Sequence, residues 1–243
     1  MINSKTPGVT TVGQIVAKDI RKAEVFKKLG IDFCCGGKKS VKQACEEVGI
    51  TQEQLEVEMK SFEENSREKA GMDFNTWELD FLADYIVNIH HKYVRENAGM
   101  IKELVMKVAN RHGDHHPELI HLSVGVQQCM ADLLMHLEKE EQALFPYVKE
   151  LVVKKKQGTK FKTGFSVASP VRAMETEHER TGEELHAFRE LTNDYTLPAN
   201  ACNSYAFLFS KLQEFEADLL RHIHLENNIL FPKAIGLEQE LAA

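Results

Sequence analysis

From Trp77 to the C-terminus, apolar residues recur at helical spacing in four long stretches. In the first, Leu79, Leu82, Ala83, Ile86, His90, Tyr93, Val94, Asn97, Ile101, Leu104 and Val108 trace one stripe. This three-and-four spacing predicts a helix with one buried face. The second stripe is Leu119, Leu122, Val126, Cys129, Leu133, His136, Glu140 and Ala143. The third helix starts after Ser166 or Ser169 and turns Val171, Met174, His178, Thr181, Leu185 and Phe188 inward. The fourth presents Tyr205, Leu208, Leu212, Phe215, Leu219, His222, Glu226 and Ile229. Gly113 with Pro117, Gly158 with Gly164, and Pro198 mark the three connections. Four such stripes predict an antiparallel four-helix bundle, and no strand-like alternation competes with it.

The first 70 residues read differently, as short helices separated by tight turns. Val12, Ile15, Val16 and Ile20, then Val25, Phe26 and Leu29, give two helices broken near Asp19, the second stopped by Gly30. A third ends at Gly49, and Thr51 with Gln54 opens a fourth as a capping box. The polar run 61–73 marks a boundary, so the expected organisation is all-α: a small helical domain over 1–70 and a bundle over 77–243. The small domain has too few apolar residues for a substantial core and is expected to dock on the rest of the chain or on another subunit.

Composition narrows the functional classes. The 243 residues are 43% hydrophobic and 28% charged, as in an ordinary globular protein. A net charge of −7 argues against nucleic acid as a partner, and Lys154, Lys155 and Lys156 read as a solvated loop. No stretch approaches a membrane span and the N-terminus lacks a signal-peptide apolar region, so the expected location is the cytoplasm. There, five reduced cysteines are poor candidates for structural disulfides. Cys45, Cys129 and Cys202 read as packing residues. Cys34 and Cys35 are adjacent and followed by Gly36 and Gly37, with Lys38 and Lys39 favouring thiolate. They are the candidates for a redox or metal-delivery role.

The chemistry concentrates in a repeat. His136 to Pro146 and His222 to Pro232 share H-x-x-x-E-x-x-x-L-F-P. A spacing of four puts the imidazole and the carboxylate on one helix face. Each repeat follows a single inward histidine, His90 or His178, at a similar interval. A lone histidine on an apolar stripe is usually a hydrogen-bonded core residue. Two buried carboxylates are harder to explain that way, because a buried charge without a partner costs several kcal/mol. His90, His136, Glu140, His178, His222 and Glu226 therefore read as metal ligands, with Glu140 and Glu226 bridging two metals. Nitrogen and oxygen donors without thiolate favour iron over manganese or zinc. Asp132 and Glu177 are candidates for supporting carboxylates or for carboxylates on a metal-exit path. His112 is the most interesting member of a histidine cluster with His115, His116 and His121, and His91, His186 and His224 are expected to be exposed.

The bundle resembles hemerythrin but departs from it twice. Gly182 stands where hemerythrin's third helix carries a further histidine. Glu226 lies four residues after His222, where hemerythrin has an aspartate at the fifth, here Asn227. With "DFCCGGKK", "ETEHERTG" and "HLENNILFP", these departures resemble the Repair of Iron Centres family over about Val12 to Ala234. That resemblance implies two iron ions, oxo- or hydroxo-bridged, on the same six ligands. It also implies a cytoplasmic, stress-induced protein restoring iron–sulfur clusters damaged by nitric oxide or peroxide. Damaged iron–sulfur proteins would be its partners, NO or O2 its small ligands, and a homodimer is compatible with the reading. Gly182 is expected to keep space beside the site. Reduction of NO to nitrous oxide and reversible O2 binding or sensing are the alternative functions.

Overall fold

The computed structural model describes residues 10–65, 72–160 and 166–243, so Gly164 and part of the expected 61–73 boundary lie outside the described residues. Those residues are helical and contain no strand, only an isolated bridge between Thr11 and Ser40. None of the helices described is long and apolar enough to cross a membrane. The chain divides into two compact units, one of residues 1–78 with 223–233, the other of 79–222 with 234–243.

In the first unit, α1 (Val12–Lys18) and α3 (Val41–Glu47) each begin with a reciprocal capping box, Thr11 with Gln14 and Ser40 with Gln43. Asp19 breaks the chain as expected: it ends α1 and its carboxylate accepts from the Arg21 N–H, starting a 3-10 turn before α2 (Ala23–Lys28). Gly30, at φ +72°, lets the chain leave α2 in a conformation a side chain would oppose. Thr51 and Gln54 bond reciprocally at the start of α4 (Gln52–Asn65). Val12, Val16, Phe26, Phe33 and Leu55 are buried here, as are Ile229, Leu230 and Phe231 from the chain's last helix. The small core expected of the N-terminal residues is thus completed by a distant segment of the same chain.

The second unit contains most of the four long helices. Helix α5 (79–112) runs as Leu79–Tyr85, a π-helical stretch Ile86–His91, and Lys92–His112. Helix α6 (118–156) has a π stretch at Glu140–Leu144, and α8 (203–242) has one at Glu226–Leu230. Helix α7 is Ala168–Leu191, starting between the two serines expected to precede it. Short connections make successive helices antiparallel. Lys154, Lys155 and Lys156 form the last turn of α6 rather than a loop, where cations complement the helix dipole.

The repeat explains two of the π stretches. Pro146 and Pro232 have no N–H, and their rings would crowd the carbonyl four residues back in a regular helix. The turn before each proline is widened instead: the Phe145 N–H bonds the Glu140 carbonyl, and the Phe231 N–H bonds the Glu226 carbonyl, five residues back. Each wide turn begins at the glutamate of the motif. Single π turns inside α-helices gather at functional sites.

Candidate metal centre

The π stretch in α5 changes which histidine joins the cluster. Beyond Ile86, one buried stripe runs through His91, Val94, Ala98, Ile101, Val105 and Val108, five residues on and then at helical spacing. His91, expected to be exposed, is fully buried with its Nε2 3.1 Å from His222 Nε2 and 3.4 Å from Glu140 Oε2. His90 is buried too, but it is not in the cluster. Its Nδ1 bonds Asp218 at 2.9 Å, and its ring stacks parallel to His222 with centroids 5.7 Å apart. The expectation that His90 would join the cluster assumed an unbroken α-helical period, and the wide turn advances the inward position by one residue.

The other five expected residues converge. His136 Nε2 lies 3.0 Å from His178 Nε2 and 3.4 Å from Glu140 Oε2. Glu226 follows His222 by one turn of the continuous helix α8. Two groups result, His91, Glu140, His222 and Glu226, and His136, Glu140, His178 and Glu226, with donor atoms within 4.8 Å of one another in each. Both glutamates belong to both groups. All six residues are buried.

Two outer carboxylates orient the imidazoles. His91 Nδ1 meets Glu141 Oε1 at 2.7 Å, and Arg95 Nη1 donates to the same oxygen at 2.7 Å. His136 Nδ1 meets Glu177 Oε2 at 2.8 Å, with Lys139 donating to Glu177 Oε1 at 2.6 Å. Burial pushes both carboxyls up, but Arg95 and His91 at Glu141, and Lys139 and His136 at Glu177, more than offset it and hold them below the usual range. A carboxylate at Nδ1 fixes the ring proton there and turns the Nε2 lone pair inward. The Nε2 atoms of His91 and His136 then face the Nε2 atoms of His222 and His178 and the oxygens of two glutamates as acceptors. A cation reconciles such a set, and its nitrogen and oxygen donors suit iron, manganese or zinc. Replacing Glu177 by alanine should weaken metal affinity by roughly 10–100-fold with little loss of helix content. Titration against a competing chelator measures it.

The remaining candidates divide. Glu177 has the supporting place expected of it, and Glu141, next to Glu140 in the repeat, is its unforeseen counterpart. Asp132 is not part of the cluster; it pairs with Arg180 and accepts from Gln128. His112 is not beside the cluster either, since it ends α5 about 30 Å of helix beyond His91. There its Nε2 lies 3.1 Å from Cys202 Sγ. Cys202 is exposed, contrary to the packing role expected, because it precedes α8 rather than lying on its buried stripe, whereas Cys45 and Cys129 are buried. Gly182 is half-buried one turn after His178. His224, expected to be exposed, is buried with Nδ1 3.2 Å from the Phe33 carbonyl, and burial pulls its pKa down to about 4.

Cys34 and Cys35 sit in the first unit, with sulfurs 3.8 Å apart. The thiolate expected from nearby lysines does not hold for Cys34. The Cys35 thiol beside it, its own burial and the Asp32 carboxylate push the Cys34 thiol well up.

A helical bundle with two histidine–carboxylate groups sharing their glutamates defines a hemerythrin-like cation-binding protein. Residues 82–234 match the hemerythrin HHE cation binding domain, and residues 8–63 match a domain of unknown function, DUF542. The chain is 33% identical to a probable iron–sulfur cluster repair protein of Haemophilus influenzae, over 88% of its own length and 91% of that protein's. It is 29% identical to the iron–sulfur cluster repair protein YtfE of Yersinia pseudotuberculosis, over 93% and 96% of the two chains. The chain belongs to the hemerythrin HHE cation-binding family, in the group formed by these iron–sulfur cluster repair proteins.

Proposed function

We propose that the chain holds two iron ions and uses them to restore iron–sulfur clusters damaged by nitric oxide or peroxide. One observation carries the reading: the two ligand groups share Glu140 and Glu226 and nothing else. In this reading His91 and His222 would hold one iron, His136 and His178 the other, and Glu140 and Glu226 would serve both. Two histidines and two shared carboxylates leave coordination positions open, and such irons, when bound, supply exchangeable metal and a place for NO or O2.

The chain's own residues set that lability. Glu141 and Glu177 hold His91 and His136 in the ligating tautomer. The buried Phe145 beside His91, with ring centroids 5.5 Å apart, limits water. The relatives' names support iron–sulfur proteins as partners, and the cytoplasm is the place this reading assigns to that repair. We keep the division into a cysteine-bearing part over 1–70 and an iron-bearing part over 77–243 as the functional one.

The test is recovery of an aconitase-type dehydratase inactivated by NO or peroxide. Iron-loaded wild-type protein should restore its activity, and Glu226→Leu prepared in the same way should not. Equal recovery with both would overturn the reading.

A further inference from the structure

A second convergence of ligand-bearing side chains lies in the first unit. Asp32, Cys34 and Cys35 bring a carboxylate oxygen and two sulfurs within 4.8 Å of one another. Cys34 Sγ is 3.8 Å from Cys35 Sγ and 3.2 Å from Asp32 Oδ1. Two thiolates on a tetrahedral ion, with metal–sulfur bonds of about 2.3 Å, stand about 3.8 Å apart. An oxygen bound to the same ion stands about 3.5 Å from each sulfur. The side chains therefore already have nearly the spacing of a chelate.

The backbone explains how neighbouring residues reach the same point. On a strand, adjacent side chains point to opposite faces. Here Cys34, at φ −96° and ψ −70°, leads into a 3-10 turn, Cys35–Lys38, that wraps around Asp32. Asp32 Oδ1 accepts the N–H groups of Cys34 and Cys35, both at 3.0 Å, and Oδ2 accepts that of Gly36 at 2.8 Å. The glycines keep the approach close: a Cβ on Gly36 would lie 3.1 Å from Asp32 Oδ2, a tight contact, and one on Gly37 would lie 2.2 Å from Asn228 Oδ1 and force that side chain to shift. Asn228 Nδ2 donates to the Cys34 carbonyl at 2.9 Å, fixing the turn from the other side. Capping by Asp32 would be served by almost any side chains at 34 and 35. It does not account for two sulfurs gathered at the same carboxylate.

We propose that Asp32, Cys34 and Cys35 form a separate site for one thiophilic divalent ion, Fe2+ or Zn2+, with its fourth position open beside the half-exposed Cys35. Thiolate donors select such ions over Mg2+ and Ca2+. On binding, two S–H bonds break, two metal–sulfur bonds form and two protons leave to solvent. The proton that Cys34 now directs at Asp32 is replaced by the ion. Affinity should therefore rise with pH, by up to about 100-fold per unit while both thiols stay protonated in the free protein. The site is independent of the bundle centre and of the function proposed for it.

Anaerobic titration of iron-loaded, full-length protein with Co2+ tests the proposal. Wild type, and Glu226→Leu carried through the same loading whatever iron it keeps, should both develop a near-ultraviolet thiolate-to-cobalt charge-transfer band, abolished by excess Zn2+ and, in iron-loaded wild type, saturating at one equivalent. Cys34→Ser and Cys35→Ser should each lose it. Cys35 is half-exposed, so its serine variant decides the matter even if Cys34→Ser misfolds, with circular dichroism reporting on the fold. No band in wild type, or an undiminished band in folded Cys35→Ser, would overturn the site.

Discussion

Glu140→Leu is expected to empty both proposed iron positions at once. Glu140 belongs to both ligand groups, is fully buried, and lies 3.4 Å from the Nε2 atoms of both His91 and His136. Leucine fills similar space but supplies no charge to either metal. A loss of only 1.4 kcal/mol of binding energy per metal lowers affinity about tenfold, and removing a shared anionic ligand should exceed that. Iron per chain after reconstitution and desalting, with circular dichroism to report on the helices, gives the answer. The same substitution should act in the opposite direction on metal-free protein. Buried carboxylate–imidazole pairs are costly to desolvate, and apolar replacements of buried ion pairs are often neutral or stabilising by roughly 1–4 kcal/mol. Urea unfolding of the two apo proteins should show the leucine variant at least as stable as wild type. Full iron occupancy in Glu140→Leu would show that the two positions do not share it.

His91→Ala and His90→Ala should separate sharply, although the residues are neighbours. The His91 variant should lose iron at the position it shares with His222. The His90 variant should keep its iron but lose stability, because removing His90 strands the carboxylate of Asp218 and the stacking on His222. A fully buried acceptor left unsatisfied costs about 1–3 kcal/mol, and the half-buried Asp218 should cost toward the lower end. Iron content and the urea midpoint, measured on both variants, give two independent readings. If His90→Ala lost the metal and His91→Ala kept it, the inward register of α5 would be that of an unbroken α-helix.

The contrast marks where sequence reading succeeds. His136, Glu140, His222 and Glu226 were legible because their spacing of four falls ahead of the wide turns, where the α-helical period still holds. His178 was legible because α7 is α-helical throughout. His91 was missed because nothing near Ile86 announces the π turn, whereas Pro146 and Pro232 give such a signal for the other two. Glu141 was missed for a related reason. A carboxylate flanking a ligand looks like an ordinary surface charge until the facing helix shows that it orients His91.

At the N-terminus the capping box of Thr51 and Gln54 was readable, since its two side-chain bonds span only three residues. That the unit is completed by residues 223–233 was not readable, because such long-range packing leaves no local period. His224 illustrates the limit: it looks like an off-stripe surface residue, yet it is buried and bonded to the Phe33 carbonyl.

The sequence by itself determined the four-helix pattern, the doubled histidine–glutamate motif and the nitrogen–oxygen character of its donors, all consequences of local spacing and side-chain chemistry. Only the tertiary structure decided which of two adjacent histidines enters the cluster and which carboxylates orient it. Only the tertiary structure, too, showed that both sulfurs gather on Asp32. Each of these depends on where a turn widens or tightens, and a change of one residue in that register rotates a side chain from one neighbour to another.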